Sequence, residues 1–170
     1  MSHAKNKVEW CLNKAQKELK ETGKHRGLVK IQTNMELASS HLAKADHNLK
    51  AAVNFAKTGY SDWSVSAFFY STYQCFLAIA AKFGYVSGNQ ECTFVLMYSL
   101  IEDKKIDIDK EILDKVTALE VQKGKEITTS TKMREEYQYG TELSIDEKLY
   151  EELFALASEI LENTKKIMQK

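Results

Sequence analysis

The feature that most constrains the fold of this chain is the absence of proline from all 170 residues. The seven glycines fall mostly between segments of periodic hydrophobicity, where glycine ends a helix without interrupting it. This distribution is typical of a chain built from helices. We therefore predict an all-α fold, an antiparallel up-and-down helical bundle of about five to six helices.

The second predicted helix carries alanine and leucine in alternation, at steps of four and three residues. Such a stripe is narrow, so another helix can approach it closely, as in an antiparallel bundle. We expect Thr33 and Glu36 to form a capping box at its start and Gly59 to end it. The stripe consists of Ala38, Leu42, Ala45, Leu49, Ala52 and Ala56.

A central helix is predicted over residues 61–83, where the sequence SDWSVSAFFYSTYQCFLAIAAKF is apolar or small on nearly every face. Ser61 or Asp62 can cap its start. At about 1.5 Å per residue this helix spans roughly 34 Å. We therefore expect it to contact most of the other elements.

Four further helices complete the prediction, and their ends are marked by glycine or by capping side chains. They are residues 5–22 ending at Gly23, residues 90–102, a helix capped by Asp109 that contains Ile112, Val116 and Leu119 and ends at Gly124, and a last helix begun by Ser144 and Glu147. The residues predicted to be largely buried are Ala38, Leu42, Leu49, Phe69, Phe76, Leu96, Leu153 and Leu156.

The charge balance and the cysteines bear on where the protein works. The 24 basic and 24 acidic residues cancel, so no global field attracts nucleic acid or an anionic membrane. No window reaches the roughly 18 uncharged apolar residues of a membrane span, and the polar start MSHAKNKVEW lacks the apolar stretch of a signal peptide.

Cys11, Cys75 and Cys92 are odd in number and far apart, which argues against a disulfide framework and a zinc site. We expect a cytoplasmic protein with Cys75 and Cys92 packed in its core.

The usual motifs of enzyme chemistry are missing from the sequence. It contains no GxxxxGK phosphate loop, no serine elbow and no glycine-rich dinucleotide turn. His41 and His47 are six residues apart, which puts them on different faces of a helix. We therefore predict no metal and no cofactor.

One segment, MREEYQYGTEL at residues 133–143, gathers an arginine, several acids and two tyrosines. In the structural interpretation, Tyr137 and Tyr139 pack a helix end, a glutamate pairs with a neighbouring base and Gly140 turns the chain. In the functional interpretations, Arg134 holds a phosphate group or belongs to a nuclease site. The residues alone leave these alternatives open.

A resemblance to a known family runs through the middle of the chain. The string LAKADHNLKAAVNFAKTGYSDWSVSAFFYSTYQCFLAIAAKFGYVSGNQEC, residues 42–92, resembles the core of the HEPN family, the higher-eukaryote and prokaryote nucleotide-binding domain. The shared elements are a KA-D-HNL-AA helix, a G-Y-DW-VS-A turn into an aromatic-rich helix, and a K-GY-S loop. MREEYQYG at residues 133–140 resembles the family's later motif, in which an arginine precedes a helix end. The resemblance assigns residues 31–170 to a HEPN-like helical bundle and residues 1–30 to an N-terminal helical extension, as in some prokaryotic members.

The resemblance implies an antiparallel helical bundle that frequently forms homodimers. Many members cleave RNA without a metal, as toxins of toxin–antitoxin systems or as defence nucleases, and some act beside a partner nucleotidyltransferase. The nuclease members carry an arginine and a histidine with four to six residues between them. The matching positions here are Arg134 and then Tyr139, Gly140 or Thr141, and none of these is a histidine.

This departure removes a titrating group from the implied site. Histidine, with a pKa of about 6.5, can accept and donate a proton near neutral pH, whereas tyrosine, at about 10, is a poor base. Related members also often have a histidine where this chain has Gln90. Arg134 can still hold a phosphate by paired hydrogen bonds, because that requires no proton transfer.

We therefore predict a HEPN-like binding module that has kept the arginine and lost the nuclease histidine, with no catalytic residue. Its predicted ligand-binding residues are Arg134, Glu135, Tyr139 and Gln90. The implied partners are a second copy of the chain, a nucleotidyltransferase, a nucleotide or RNA, and no membrane. Trp63 and Tyr70 are the predicted anchors of the dimer. Two alternatives stay open, an active ribonuclease toxin and a purely structural helical adaptor.

Overall fold

The computed structural model describes residues 2–117 and 129–170, and these form seven α-helices and two short strands. In chain order the elements are α1 (His3–Thr22), β1 (Leu28–Lys30), α2 (Met35–Lys57), α3 (Ser61–Lys82), β2 (Tyr85–Ser87), α4 (Gln90–Glu102), α5 (Lys110–Val116), α6 (Ser130–Tyr139) and α7 (Glu147–Gln169). The predicted all-α bundle is confirmed. The helix missing from the prediction is α6, which covers the first part of the arginine-containing segment.

Helices α2 and α3 form the most extensive helix–helix contact among the described residues. The hydroxyl of Ser64 donates to the carbonyl of Ala52 at 2.7 Å, and the hydroxyl of Ser71 donates to the carbonyl of Ala45 at 2.8 Å. These pairs fix an antiparallel register in which small side chains let the two backbones approach. Of the predicted α2 stripe, Ala38, Ala45 and Ala52 are fully buried, whereas Ala56 and the two leucines are half-buried.

The two short strands were not predicted. They pair in antiparallel fashion, with Val29 opposite Val86, and so tie the segment after α1 to the segment after α3. Gly84 turns the chain from α3 into β2 with a φ of +80°, and a Cβ at this position would lie 2.8 Å from the carbonyl oxygen of Ile31. Only glycine fits there without a shift of the backbone. At three residues each, the strands leave the fold class unchanged.

The predicted starts of two helices are wrong by one or more residues. The side chain of Asn34, not that of Thr33, accepts the hydrogen bond from the first turn of α2. The side chain of Asp146, not that of Ser144, does the same for α7. In both places several capping residue types lie close together in the sequence, so composition alone does not select one.

Other predicted boundaries agree with the structure. Helix α4 has the predicted bounds, α1 ends at Gly23, and the carboxylate of Asp109 accepts a hydrogen bond from the backbone N–H of Glu111 at 2.9 Å. Helix α3 begins where predicted, but no side chain caps it; the hydroxyl of Ser61 instead accepts a hydrogen bond from the backbone of Ile145. Leu119 was predicted to lie in the helix capped by Asp109, and Gly124 to end it. Both residues lie outside the described residues.

Most of the predicted core is buried. Ala38, Phe69, Phe76, Leu96 and Leu153 are buried, and Leu42, Leu49 and Leu156 are half-buried at the edges of their helices. Cys75 also packs in the core as predicted, and burial raises the pKa of its thiol to about 12. That thiol is therefore no nucleophile.

The prediction against disulfides is wrong for one pair. Cys11 of α1 and Cys92 of α4 are joined, with their Cα atoms 6.0 Å apart. Both cysteines are buried where α1 lies on α4. The ammonium of Lys5 also pairs with the carboxylate of Asp103 across this contact at 2.5 Å. The predicted N-terminal extension is thus fastened to the bundle by a covalent bond as well as by packing.

No helix among residues 2–117 and 129–170 is both long enough and apolar enough to cross a membrane.

Candidate functional site

The arginine-containing segment is a helix and its end, packed on α3. The hydroxyl of Thr129 caps α6 by accepting a hydrogen bond from the backbone of Lys132 at 3.2 Å. Gly140 ends the helix by donating its N–H to the carbonyl of Glu136 at 2.9 Å. A Cβ at this position would lie 2.5 Å from the same carbonyl oxygen, so the close return of the chain depends on glycine.

Arg134 is the centre of the candidate site. It is only 9% exposed, although arginine is almost never fully buried without a partner. Its Nη1 donates to the phenolic oxygen of Tyr70 at 3.3 Å, and its Nη2 pairs with the carboxylate of Glu135 at 3.2 Å. The guanidinium carbon lies 4.8 Å from the ring centroid of Phe69, which is within the range of a cation–π contact.

The guanidinium of Arg134 is only partly satisfied by these contacts. Its Nε is buried and has no hydrogen-bond partner among the described residues. A buried donor without a partner costs about 1–3 kcal/mol, and more when the group is charged. Because a guanidinium presents five N–H donors in a planar fork, it has capacity left for an acceptor such as a phosphate oxygen.

The other predicted ligand-binding residues are placed differently from one another. Glu135 is exposed and contacts Arg134 directly. Tyr139 lies at the end of α6 with 78% of its surface exposed, and no hydrogen bond or ring contact among the described residues joins it to Arg134. Gln90 is the first residue of α4 and is half-buried. The structure therefore brings only Glu135 to the arginine.

A row of aromatic rings lies between Arg134 and the start of α4. The ring of Phe69, which faces the guanidinium, stacks on Tyr73 with a centroid distance of 6.2 Å and an angle of 6°. The hydroxyls of Tyr73 and Thr93 are 3.3 Å apart, and Thr93 lies one turn after Gln90. Burial raises the pKa of Tyr73, so this phenol stays protonated near neutral pH.

The residues of α3 that hold the arginine were not assigned to it from the sequence. Tyr70 was predicted as a dimer anchor and Phe69 as core, yet both contact Arg134, which is 64 residues away from Tyr70 in the chain. Helical spacing shows which residues share a face of α3. It does not show which other helix will cover that face, so no sequence signal could have found this contact.

A cavity of about 160 Å³ lies one turn further along, between the start of α3 and the end of α6. We call it the acidic pocket. Neither Asp62 nor Glu142, which both line it, forms an ion pair among the described residues. Burial raises the pKa of Tyr137 in its wall, and the carboxylates of Asp146, Glu142 and Glu136 raise it further. Its lining residues are Asp62, Trp63, Ser66, Tyr137, Gln138, Gly140, Thr141, Glu142 and Leu143.

One wall of the acidic pocket, residues 137–143, belongs to a strongly acidic stretch of the chain. Between Arg134 and Glu152 the only basic residues are Arg134 and Lys148. The acidic residues of the same stretch are Glu135, Glu136, Glu142, Asp146, Glu147, Glu151 and Glu152. A negative field of this kind opposes the binding of a long polyanion, although beyond a Debye length of about 8 Å it is screened at physiological salt.

Comparison with known proteins adds no family to these observations. No protein-family model matches the sequence. No curated protein matches it significantly. The resemblance to the HEPN family therefore stays a prediction carried by the motifs of the sequence.

Proposed function

We propose that this protein is a HEPN-like helical binding module that holds a small phosphate-bearing ligand, such as a mononucleotide, at Arg134 and does not cleave RNA. The observation that carries the proposal is the buried guanidinium whose Nε has no hydrogen-bond partner among the described residues. A phosphate oxygen would satisfy this donor by a charge-assisted hydrogen bond. The neighbouring ring of Tyr70, which is exposed, would offer apolar surface to a base.

The groups around Arg134 support the absence of cleavage. No histidine follows His47 in the sequence, and His41 on α2 forms a hydrogen bond with Gln74 through its Nδ1 at 2.7 Å. The hydroxyl bonded to Arg134 is that of Tyr70, and a phenol is a poorer general base than an imidazole. A site of this composition can bind a phosphate but has no group to carry a proton near neutral pH.

The acidic surroundings favour a small anion over an RNA strand. A single phosphate needs only the buried arginine, whereas a strand brings a row of phosphates past Glu135 and the acidic pocket. Binding of polyanions depends on the number of phosphates that basic residues neutralise, and this face offers very few. A mononucleotide is therefore the ligand class that the charges suit best.

The proposal is tested by titrating the protein with a fluorescent ATP analogue and competing with GTP and inorganic phosphate. Arg134→Ala should weaken binding at least about tenfold, because a charge-assisted hydrogen bond contributes about 1.5–3 kcal/mol. Glu135→Gln should instead strengthen binding about two- to fivefold, since it removes the carboxylate that competes for the guanidinium. Exposed Arg26 provides the matched control, and Arg26→Ala should leave the affinity unchanged.

Two outcomes would contradict the proposal. Affinity that is equal in the wild type and in a folded Arg134→Ala variant would remove the arginine from the site. Cleavage of a defined RNA by the wild type, lost in Arg134→Ala, would favour the active ribonuclease instead. Circular dichroism must show that the variant is folded, because Arg134 is buried.

A second candidate function is that of a protein-binding adaptor, and one observation favours it. Trp63, which lines the acidic pocket, is 57% exposed, and Tyr70 on the same helix is also exposed. Exposed aromatic side chains of this kind are typical anchors of protein interfaces. The partners proposed from the resemblance are a second copy, forming a homodimer, and a nucleotidyltransferase, as in toxin–antitoxin pairs.

A cytoplasmic location belongs to the same proposal. Disulfides are rare in that compartment, so Cys11 and Cys92 would there be thiols packed between α1 and α4. The ion pair of Lys5 with Asp103 would hold the same contact without the covalent bond.

A further inference from the structure

The two tryptophans of the chain lie in exposed patches of opposite charge. Trp10 is 55% exposed on α1, and the ammonium of Lys14 lies 5.0 Å from its ring centroid. Lys17 follows at helical spacing on the same face. Among the described residues Lys14 forms no ion pair. Lys17 forms one with Glu21, but that pair is long, at 3.8 Å, and both side chains are exposed. We call Trp10, Lys14, Lys17 and Lys20 the basic stripe.

Trp63 is the counterpart in the acidic pocket. Its ring borders the cavity together with Tyr137 and Leu143, and Leu143 is 80% exposed. The carboxylates of Asp62 and Glu142 stand beside these apolar groups without a cationic partner among the described residues. Apolar walls with two carboxylates suit the side chain of a lysine, whose stem is apolar and whose end is charged.

The two patches are held apart within one molecule. Helix α1 packs on α4 and β1, and the ion pair of Lys5 with Asp103 helps to hold it there. Helix α6, in contrast, packs on α3 and α5. A contact between the basic stripe and the acidic pocket can therefore form only between two molecules.

We propose that the basic stripe of one copy docks on the acidic pocket of a second copy and inserts an α1 lysine between Trp63 and Tyr137. The proposal builds on the homodimer named above and specifies how it forms. Each copy carries both patches, so a two-fold arrangement makes both contacts at once. The formal net charge of zero is then the sum of two complementary regions, not the absence of a field.

Charge decides between this pairing and a direct pairing of two α3 surfaces. A two-fold axis through the acidic pocket would set Asp62 and Glu142 of one copy against the same carboxylates of the other. Like charges placed face to face oppose association. The basic stripe offers apolar area through Trp10 and opposite charge through Lys14 and Lys17, so it is the better complement.

The test is charge reversal measured by light scattering at micromolar concentration and low salt. The wild type should give twice the chain mass of 19.4 kDa. The double variants Lys14→Glu/Lys17→Glu and Asp62→Lys/Glu142→Lys should each associate at least about tenfold more weakly, because each places like charges in both contacts. Mixing the two variants should restore the dimer, since every contact in the mixed pair is again between opposite charges.

A matched control changes charge elsewhere. Lys165→Glu/Lys166→Glu on α7 alters the net charge as much as the α1 variant does and should leave the association unchanged. Raising the salt to about 1 M, where the Debye length is about 3 Å, should weaken the wild-type dimer.

The proposal is overturned by a wild type that is monomeric under these conditions. A dimer that resists both charge reversals would also overturn it and would favour the direct pairing of α3 surfaces. So would two charge-reversed variants that fail to pair when they are mixed. Nucleotide binding at Arg134 is measured separately, so any of these three outcomes leaves the proposal of nucleotide binding standing.

Discussion

The two faces of α3 differ in what they carry and in how they are satisfied. The face toward α2 presents small residues such as Ser64 and Ser71, whose hydroxyls donate to carbonyls of the neighbouring helix at 2.7 and 2.8 Å. The face toward α6 and solvent presents Trp63 and Tyr70, and its neighbour Arg134 keeps a buried Nε without a partner among the described residues. One helix thus supplies a closed contact that fixes the fold and an open one, where exposed aromatic rings lie near an unpaired donor.

The difference between the two faces indicates where a binding function can be sought in this bundle. The hydroxyls of Ser64 and Ser71 on the α2 face are already committed, because each donates to a carbonyl of the neighbouring helix. Polar groups on the α6 face are incompletely paired, and this is a feature that deserves an explanation when it occurs inside a folded protein. We expect substitutions on the two faces to separate accordingly into effects on stability and effects on binding.

The largest effect on stability is expected where α3 meets the core. Phe76 is fully buried and lies edge-on to Phe94 at a centroid distance of 6.0 Å. Phe76→Ala should lower the free energy of unfolding by about 3–5 kcal/mol, through lost burial and the cavity left behind. Urea denaturation followed by circular dichroism measures this. Tyr139→Ala, at a mostly exposed aromatic position, should change the same quantity by less than about 0.5 kcal/mol. Equal effects of the two substitutions would contradict the placement of α3 at the centre.

The contact of α2 with α3 was largely predictable from the sequence. The alternation of Ala38, Ala45 and Ala52 with leucines gives the spacing of a narrow helical stripe, and all three alanines are fully buried. The bounds of α4 were predictable because a polar loop precedes an uninterrupted apolar run there. The first residues of α2 and α7 were less predictable, because several neighbouring residues in each place can act as the N-cap.

The open face and the disulfide were not predictable, for a common reason. Both depend on which elements meet in space. Cys11 and Cys92 are 81 residues apart, and only the packing of α1 on α4 brings them together. Arg134 could be singled out by its resemblance to a family motif. Its contacts with Phe69 and Tyr70, however, depend on the packing of α6 on α3, and the spacing within α3 carries no information about that.

A moderate effect is expected from filling the close contact between α2 and α3. The carbonyl of Ala45 accepts a hydrogen bond from Ser71, so the two backbones leave no room for a larger side chain at this position. Ala45→Leu should lower the free energy of unfolding by about 1–3 kcal/mol through overpacking. Ala43→Leu, on the exposed side of the same helix, should stay within about 0.5 kcal/mol. If thermal or urea melts showed the two variants to be equally stable, the close approach of these helices would be in doubt.

The smallest effect on stability is expected at the open face, where a substitution should act on binding instead. Trp63 is 57% exposed, so Trp63→Ala should change the free energy of unfolding by less than about 1 kcal/mol in the same denaturation experiment. It should nevertheless weaken self-association in light scattering about tenfold, because large aromatic side chains carry much of the energy of an interface. Trp10→Ala on α1 should have a similar effect, since the proposed contact uses one tryptophan from each copy. A Trp63→Ala variant that is strongly destabilised, or one that associates like the wild type, would show that this face of α3 belongs to the fold in the same way as the face toward α2.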